Sequence, residues 1–192
     1  KVRLMHASIR IYAKNMHWDF EKYDSPINQE DLAGTLLTFS TIILQGLEQT
    51  GIKIKQSHKD SYMHFWKVIG SMMGVHDDLL VDDAEEGKAL MDVILKHQQA
   101  PSVDGKKLTA SCISFMQHGI KFKFWKNEPI HLVHFFVGAK TAEILGLPNV
   151  KIRHWLVRLL EFLFNRQESG IGILGRFFRG VFYILGHRML NR

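Results

Sequence analysis

The stretch NQEDLAGTLLTFSTIILQGLEQT, residues 28–50, predicts a long helix at the centre of the fold. Asn28 and Asp31 have the spacing of a capping box, in which each side chain accepts a hydrogen bond from the backbone N–H of the other residue. No charged residue occurs from position 32 to position 47, and apolar residues recur there every three or four positions. We therefore expect one central, buried helix over residues 28–50 that ends near Gly51.

Four hydroxyl residues interrupt this apolar run, namely Thr35, Thr38, Ser40 and Thr41. Serine and threonine inside a helix commonly donate a hydrogen bond to a backbone carbonyl one turn earlier. We expect that arrangement here. The alternative is that one or more of these hydroxyls contacts a bound cofactor.

The first ten residues, KVRLMHASIR, bring one imidazole and two guanidinium groups together. In a helix, His6 lies about one turn from both Arg3 and Arg10. The remaining residues are mostly apolar, which predicts a helix that is buried on most sides and whose polar side chains need buried partners. Spacing alone favours a structural histidine with a hydrogen bond. A haem would satisfy both residue types, because its iron binds an imidazole and its propionates bind guanidinium groups.

The rest of the chain shows helical periodicity in segments bounded by capping residues, glycine or proline. One segment carries an apolar stripe of Tyr62, Phe65, Trp66, Ile69 and Met73. Such a stripe usually belongs to a core, and it is also suited to line a pocket for an apolar substrate. We predict an all-α fold in which residues 1–192 form a single helical domain of about seven or eight helices.

The excess positive charge lies at the C-terminal end. Residues 151–192 contain 8 Lys and Arg against 2 Asp and Glu, a difference of 6 that equals the net charge of the chain. Residues 171–192 mix arginines with aromatic and aliphatic residues, which predicts either core packing or contact with an anionic membrane surface. No zinc-finger or RNP motif accompanies the basic residues, so we expect no nucleic-acid partner.

Other metal sites are less well supported by the sequence. Glu128 and His131 have the i, i+3 spacing of a di-iron carboxylate bundle, but such a site needs a second pair and two further carboxylates. His131 and His134 are the alternatives to His6 as metal ligands, and we expect both to lie on a buried or half-buried helix face with a backbone partner. The single cysteine, Cys112, excludes an internal disulfide.

Four segments carry a resemblance to a known family. They are KVRLMHASIR at 1–10, PINQEDLAGTLLTFS at 26–40, YMHFWKVIGSMMGV at 62–75 and AEILGLP at 142–148. In this order they resemble rubber oxygenase (latex clearing protein) and the endoplasmic-reticulum-bound, mpaB-type oxygenase of mycophenolic acid biosynthesis. The resemblance implies an all-helical fold and a b-type haem whose axial iron ligand is His6, with Arg3 and Arg10 as candidate propionate partners.

The same resemblance implies that the distal catalytic residues lie upstream of this chain, so none is assigned here. We therefore expect a C-terminal part of the oxygenase domain that binds haem weakly and shows no turnover when expressed alone. The predicted function is a haem-dependent oxygenase that acts with dioxygen on an apolar, isoprenoid-like substrate, in the cytoplasm or on a membrane. The alternative is a non-catalytic helical module that binds a lipid, haem or a partner protein.

Overall fold

The computed structural model describes residues 1–150. Eight α-helices occur in this range, and they are α1 (Val2–Asn15), α2 (Phe20–Tyr23), α3 (Gln29–Phe39), α4 (Thr41–Gln49), α5 (Gln56–Met73), α6 (Ala84–Gln98), α7 (Val103–His118) and α8 (Glu128–Ile144). Two 3₁₀ turns, Asp77–Leu79 and Lys123–Trp125, connect longer helices. Within residues 1–150 there is no strand, which confirms the all-helical prediction.

The core is built around α3, which packs against α4, α5 and α6. Its buried residues form a cluster with Val75 and Ile94, and the α3 members are Leu32, Ala33, Leu36 and Leu37. The predicted capping box begins the helix, because Asp31 N donates to Asn28 Oδ1 at 2.9 Å and Asn28 N donates to Asp31 Oδ2 at 3.1 Å. The central position expected for this segment is therefore confirmed.

The prediction of one continuous helix over residues 28–50 is wrong. The helix is interrupted at Ser40, which lies between α3 and α4 and has backbone angles of φ −97° and ψ −83°. The Ser40 hydroxyl donates to the carbonyl of Leu36 at 3.0 Å, where the Ser40 backbone N–H also donates. A serine that bonds back to the preceding turn in this way often bends a helix.

Glycine allows α6 to approach α4 closely. A Cβ atom at Gly87 would overlap the hydroxyl of Thr41, which is fully buried. The N-terminus of α6 is capped by Asp83, whose Oδ1 accepts from the backbone N–H groups of Glu85 and Glu86. Tight packing and a strong cap therefore hold α6 on the same core as α3.

Helix α1 differs from the predicted buried helix. Within residues 1–150, its apolar side chains are exposed, with 72% of Leu4, 60% of Met5 and 64% of Ile11 accessible to solvent. Only His6, Arg10 and Ala13 are half-buried or buried, and their spacing of four and three residues places them on one helix face. The expectation of burial on most sides is wrong for the described structure because only this face meets the rest of it.

The tail predictions for residues 151–192 lie outside the described residues. The single-domain prediction for residues 1–192 also stays a prediction. None of the helices in residues 1–150 is long and apolar enough to cross a membrane.

Candidate functional site

A cavity of about 460 Å³ lies between α1, α3 and α5. Most of its walls are apolar, and the lining residues are Val2, His6, Ile27, Asp31, Leu32, Thr35, Leu36, Phe39, Trp66, Ile69, Met73 and Val75. Its volume falls within the range of about 300–1,000 Å³ that is typical of small-molecule and cofactor sites. Trp66, Ile69 and Met73 of the α5 stripe line this cavity, and Trp66 and Ile69 also pack against the core cluster, so the stripe is both core and pocket wall.

Among residues 1–150, His6 supplies the one imidazole at this cavity. Helix α1 carries it on the half-buried face, four residues before Arg10 and seven before Ala13. Its ring makes no hydrogen bond to any residue in the part of the chain that the structure describes. An imidazole at an apolar wall without a hydrogen-bond partner is available to a metal ion or a bound ligand.

The two arginines that flank His6 both donate to backbone carbonyls. Arg10 Nη2 donates to the carbonyl oxygen of Ile27 at 2.7 Å, and Arg3 Nη1 donates to that of Met72 at 3.4 Å. Ile27 lines the cavity, and Met72 precedes the lining residue Met73. Both guanidinium groups are thus held at its rim.

A tryptophan of α5 with a polar ring nitrogen also lines the cavity. The indole Nε1 of Trp66 is buried and has no hydrogen-bond partner among residues 1–150. Leaving a buried donor unpaired costs about 1–3 kcal/mol, so this N–H is suited to a ligand acceptor. The Trp66 ring stacks on Phe39 with centroids 5.5 Å apart, which sets the plane of that wall.

Only some of the four hydroxyl groups within residues 28–50 make the expected hydrogen bond to a carbonyl one turn earlier. Thr38 donates to the carbonyl of Gly34 at 2.9 Å, and Ser40 donates to that of Leu36, as predicted. The Thr41 hydroxyl is buried without a partner in the described structure. Thr35 lines the cavity, which fits the alternative of a cofactor contact.

Sequence reasoning identified His6 and the α5 stripe but missed two features of the site. The unpaired indole N–H of Trp66 has no signal in the spacing of the stripe, because it depends on what packs around the ring. The second feature is Ile27, which has a positive φ of 55° and presents its carbonyl oxygen to Arg10.

The alternative histidines lie on α8, outside this cavity. His134 is buried and its Nε2 lies 2.8 Å from the carbonyl oxygen of Pro148, which confirms the expected backbone partner. His131 Nδ1 is buried without a partner among residues 1–150, so the same prediction is not met there. In this range no group of three or more His, Cys, Asp or Glu residues is placed to hold a metal ion.

A second cavity of about 630 Å³ lies between α4 and α8. Its lining contains no ionisable residue and consists of Ile42, Ile43, Gln45, Gly46, Leu47, Gln49, Thr50, Ile52, Leu132 and Phe136. Among residues 1–150 this cavity offers no acid, base or metal ligand, whereas the lining of the His6 cavity includes an imidazole and a carboxylate, those of His6 and Asp31.

Residues 1–164 match the family described as ER-bound oxygenase mpaB/B'/Rubber oxygenase, catalytic domain. This chain belongs to that family. The match covers every helix described above, including the His6 face of α1 and the cavity walls on α3 and α5.

Two relatives of this oxygenase family give the extent of the likeness. Rubber oxygenase of Streptomyces sp. (strain K30) is 28% identical over 116 residues, which is 57% of this chain and 28% of that protein. The structure of latex clearing protein LCP in the closed state matches with a TM-score of 0.73 and 19% identity. That match covers 89% of this chain and 47% of the LCP chain, and at this identity it shows a shared fold.

Proposed function

We propose that this member of the mpaB/rubber oxygenase family binds a b-type haem in the His6 cavity and belongs to an oxygenase that acts with dioxygen on an apolar, isoprenoid-like substrate. The observation that carries the proposal is the His6 ring, which has no hydrogen-bond partner within residues 1–150 and lines an apolar cavity. The family supports an oxygenase, and the name of the rubber oxygenase relative supports an apolar substrate.

The residues at the cavity fit a haem in three respects. His6 supplies the imidazole that an axial position requires. Phe39, Ile69 and Met73 supply an apolar wall, and Trp66 supplies a buried N–H donor that lacks a partner among residues 1–150. A macrocycle with an apolar body and polar edges matches such a lining.

Arg3 and Arg10 are the proposed partners of the propionates. A guanidinium group has five N–H donors, and each of these side chains uses one contact on a backbone carbonyl. The remaining donors are available to an anion at the cavity rim. A carboxylate there would gain charge-assisted hydrogen bonds, which are shorter and stronger than neutral ones.

The haem, when bound, would supply the activation of dioxygen, and the chain would tune it through the axial imidazole and the dielectric of the cavity. The apolar walls of α3 and α5 would exclude water from the substrate side. No residue described here is assigned the role of a distal catalytic group.

The first experiment titrates haem into the intact protein and follows its Soret band. We expect His6→Ala to abolish or greatly weaken binding, because the iron would lose its axial protein ligand. His64→Ala is the matched control, since His64 is an exposed histidine of α5 that lines neither cavity. Added imidazole should restore the spectrum of His6→Gly.

Two outcomes would contradict the assignment. An unshifted spectrum and unchanged haem stoichiometry in His6→Ala would show that another residue binds the iron. The absence of a Soret band in the wild-type protein would remove the haem itself from the proposal.

Oxygen uptake with a polyisoprenoid or prenylated substrate separates an enzyme from the non-catalytic alternative. The full-length protein, when loaded with haem, should consume dioxygen in the presence of such a substrate, and its His6→Ala variant should not. Binding of the apolar compound without oxygen uptake would favour a lipid- or haem-binding module. The second apolar cavity between α4 and α8 is the feature that supports binding of this kind.

Peripheral membrane contact through residues 171–192 is a further part of the proposal and rests on the sequence alone. Co-sedimentation with anionic liposomes tests it. Binding should fall as salt is raised and should be lost when Arg176 and Arg179 are changed to Glu. Absence of binding at all salt concentrations would contradict it.

A further inference from the structure

Helix α1 meets the described structure through one narrow face. Among its 14 residues, only His6, Arg10 and Ala13 are half-buried or buried. Leu4, Met5 and Ile11 point away and stay exposed within residues 1–150. The orientation of the His6 ring therefore depends on the few contacts that this face makes.

The strongest polar contact of that face is the hydrogen bond from Arg10 to Ile27. Its length of 2.7 Å lies at the short end for a charged N–H donor, and the contact is partly buried. The corresponding bond from Arg3 to Met72 is 3.4 Å long and exposed. Burial lowers the competition from water, so Arg10 is the more important of the two anchors.

The position of Ile27 is fixed by its packing against the core. Its side chain packs against the cluster that contains Leu32 and also lines the His6 cavity. Its φ of 55° is unusual for a β-branched residue and persists only where neighbouring structure imposes it. The next residue, Asn28, is fixed by the capping box of α3.

We infer that Arg10 is a positioning residue for His6. Its hydrogen bond to the carbonyl oxygen of Ile27 seats α1 against the start of α3, and this seating directs the imidazole into the cavity. Four residues of helix separate the two side chains, which is about 6 Å along the axis, so a shift at Arg10 moves His6 directly. The inference rests on the proposed role of His6 as the axial ligand.

This role differs from binding a propionate, which the same side chain is proposed to do. A propionate partner acts only when haem is present and requires a positive charge. The proposed seating contact involves no haem atom and requires only a donor that reaches the Ile27 carbonyl. The cofactor-free protein therefore distinguishes the two roles.

The test measures hydrogen exchange of the α1 amides in the intact, haem-free protein. Arg10→Met keeps the length of the side chain and removes its donors, and exchange in residues 2–15 should rise roughly tenfold. Arg10→Lys retains a donor of similar reach and should stay within roughly threefold of wild type. Lys14→Met, an exposed change in the last turn of the same helix, should leave exchange unchanged.

Exchange in α3 is the internal reference for folding and should match wild type in all three variants. Unchanged α1 exchange in Arg10→Met would overturn the inference and leave Arg10 with the propionate alone. Equal increases in Arg10→Lys and Arg10→Met would also overturn it, because donation to the carbonyl would then not be the cause.

A spectroscopic readout in the haem-loaded protein completes the test. Arg10→Met should show a mixed population of axial ligation states by electron paramagnetic resonance, and added imidazole should convert it to one state. Arg10→Lys should retain the wild-type signal. If wild-type protein binds no haem, the proposed function is wrong, and the exchange result alone decides whether Arg10 seats α1.

Discussion

Helices α1 and α3 both line the His6 cavity and are held in place in opposite ways. Helix α3 buries Leu32, Ala33, Leu36 and Leu37 and packs against three other helices. Helix α1 buries only Ala13 within residues 1–150, and hydrogen bonds from Arg3 and Arg10 tie it to the cavity rim. One helix is part of the core and the other is attached to it.

Because of this difference, residues that determine stability and residues that determine the proposed function are expected on different helices. Burial of apolar area supplies most of the free energy of folding, so α3 should dominate the stability of the described structure. The proposed iron ligand lies on α1, where a substitution removes little buried area. Changes on α3 and α1 should therefore affect different measurements.

The largest effect on stability is expected from Leu37→Ala. Leu37 is 0% exposed at the centre of the core cluster, and truncation removes buried methyl groups and leaves a cavity. The free energy of unfolding should fall by about 2–5 kcal/mol, measured by urea denaturation. A loss below about 1 kcal/mol would mean that α3 is not the centre of the core.

A smaller effect is expected from Asn28→Ala at the N-cap of α3. The change removes the acceptor of the 2.9 Å bond from Asp31 N. The cost should be about 0.5–2 kcal/mol in the free energy of unfolding. Asn28→Ser, which can also cap a helix, serves as the control and should recover most of that loss.

The smallest effect is expected from Leu4→Ser on the outer face of α1. Leu4 is 72% exposed, and substitutions at such positions usually change stability by less than about 0.5 kcal/mol. A loss above about 1.5 kcal/mol would contradict the solvent exposure of Leu4. It would show that the outer face of α1 is covered by something other than residues 1–150.

Helix ends can be predicted from the sequence where they depend on residues that are neighbours in the chain. The capping box of Asn28 and Asp31, predicted from their spacing, consists of hydrogen bonds that span three residues. The cap at Asp83 is equally local, and Gly146, with a positive φ of 74°, follows the end of α8 at Ile144. Each of these depends on backbone geometry that the residue type itself favours.

The predictions for the burial of α1 and for one continuous helix over residues 28–50 were wrong because contacts between residues distant in sequence decide both features. Apolar composition predicted that α1 would be buried on most sides, but composition does not specify which face finds a partner. The break at Ser40 was missed because the same hydroxyl bond to the preceding turn is compatible with a straight or a bent helix. Packing of α4 against α6 at Gly87 and Thr41 accompanies the bend.

The start of α3 at its capping box, and the grouping of His6 with Arg3 and Arg10, follow from the amino-acid sequence, because both depend on residues three or four positions apart. The partners of these side chains do not follow from it. Arg10 meets Ile27 across 17 residues, Arg3 meets Met72 across 69, and the indole of Trp66 is buried by chain packed from elsewhere. Such contacts depend on how the helices assemble, since burial of their apolar faces brings together residues that no local pattern relates.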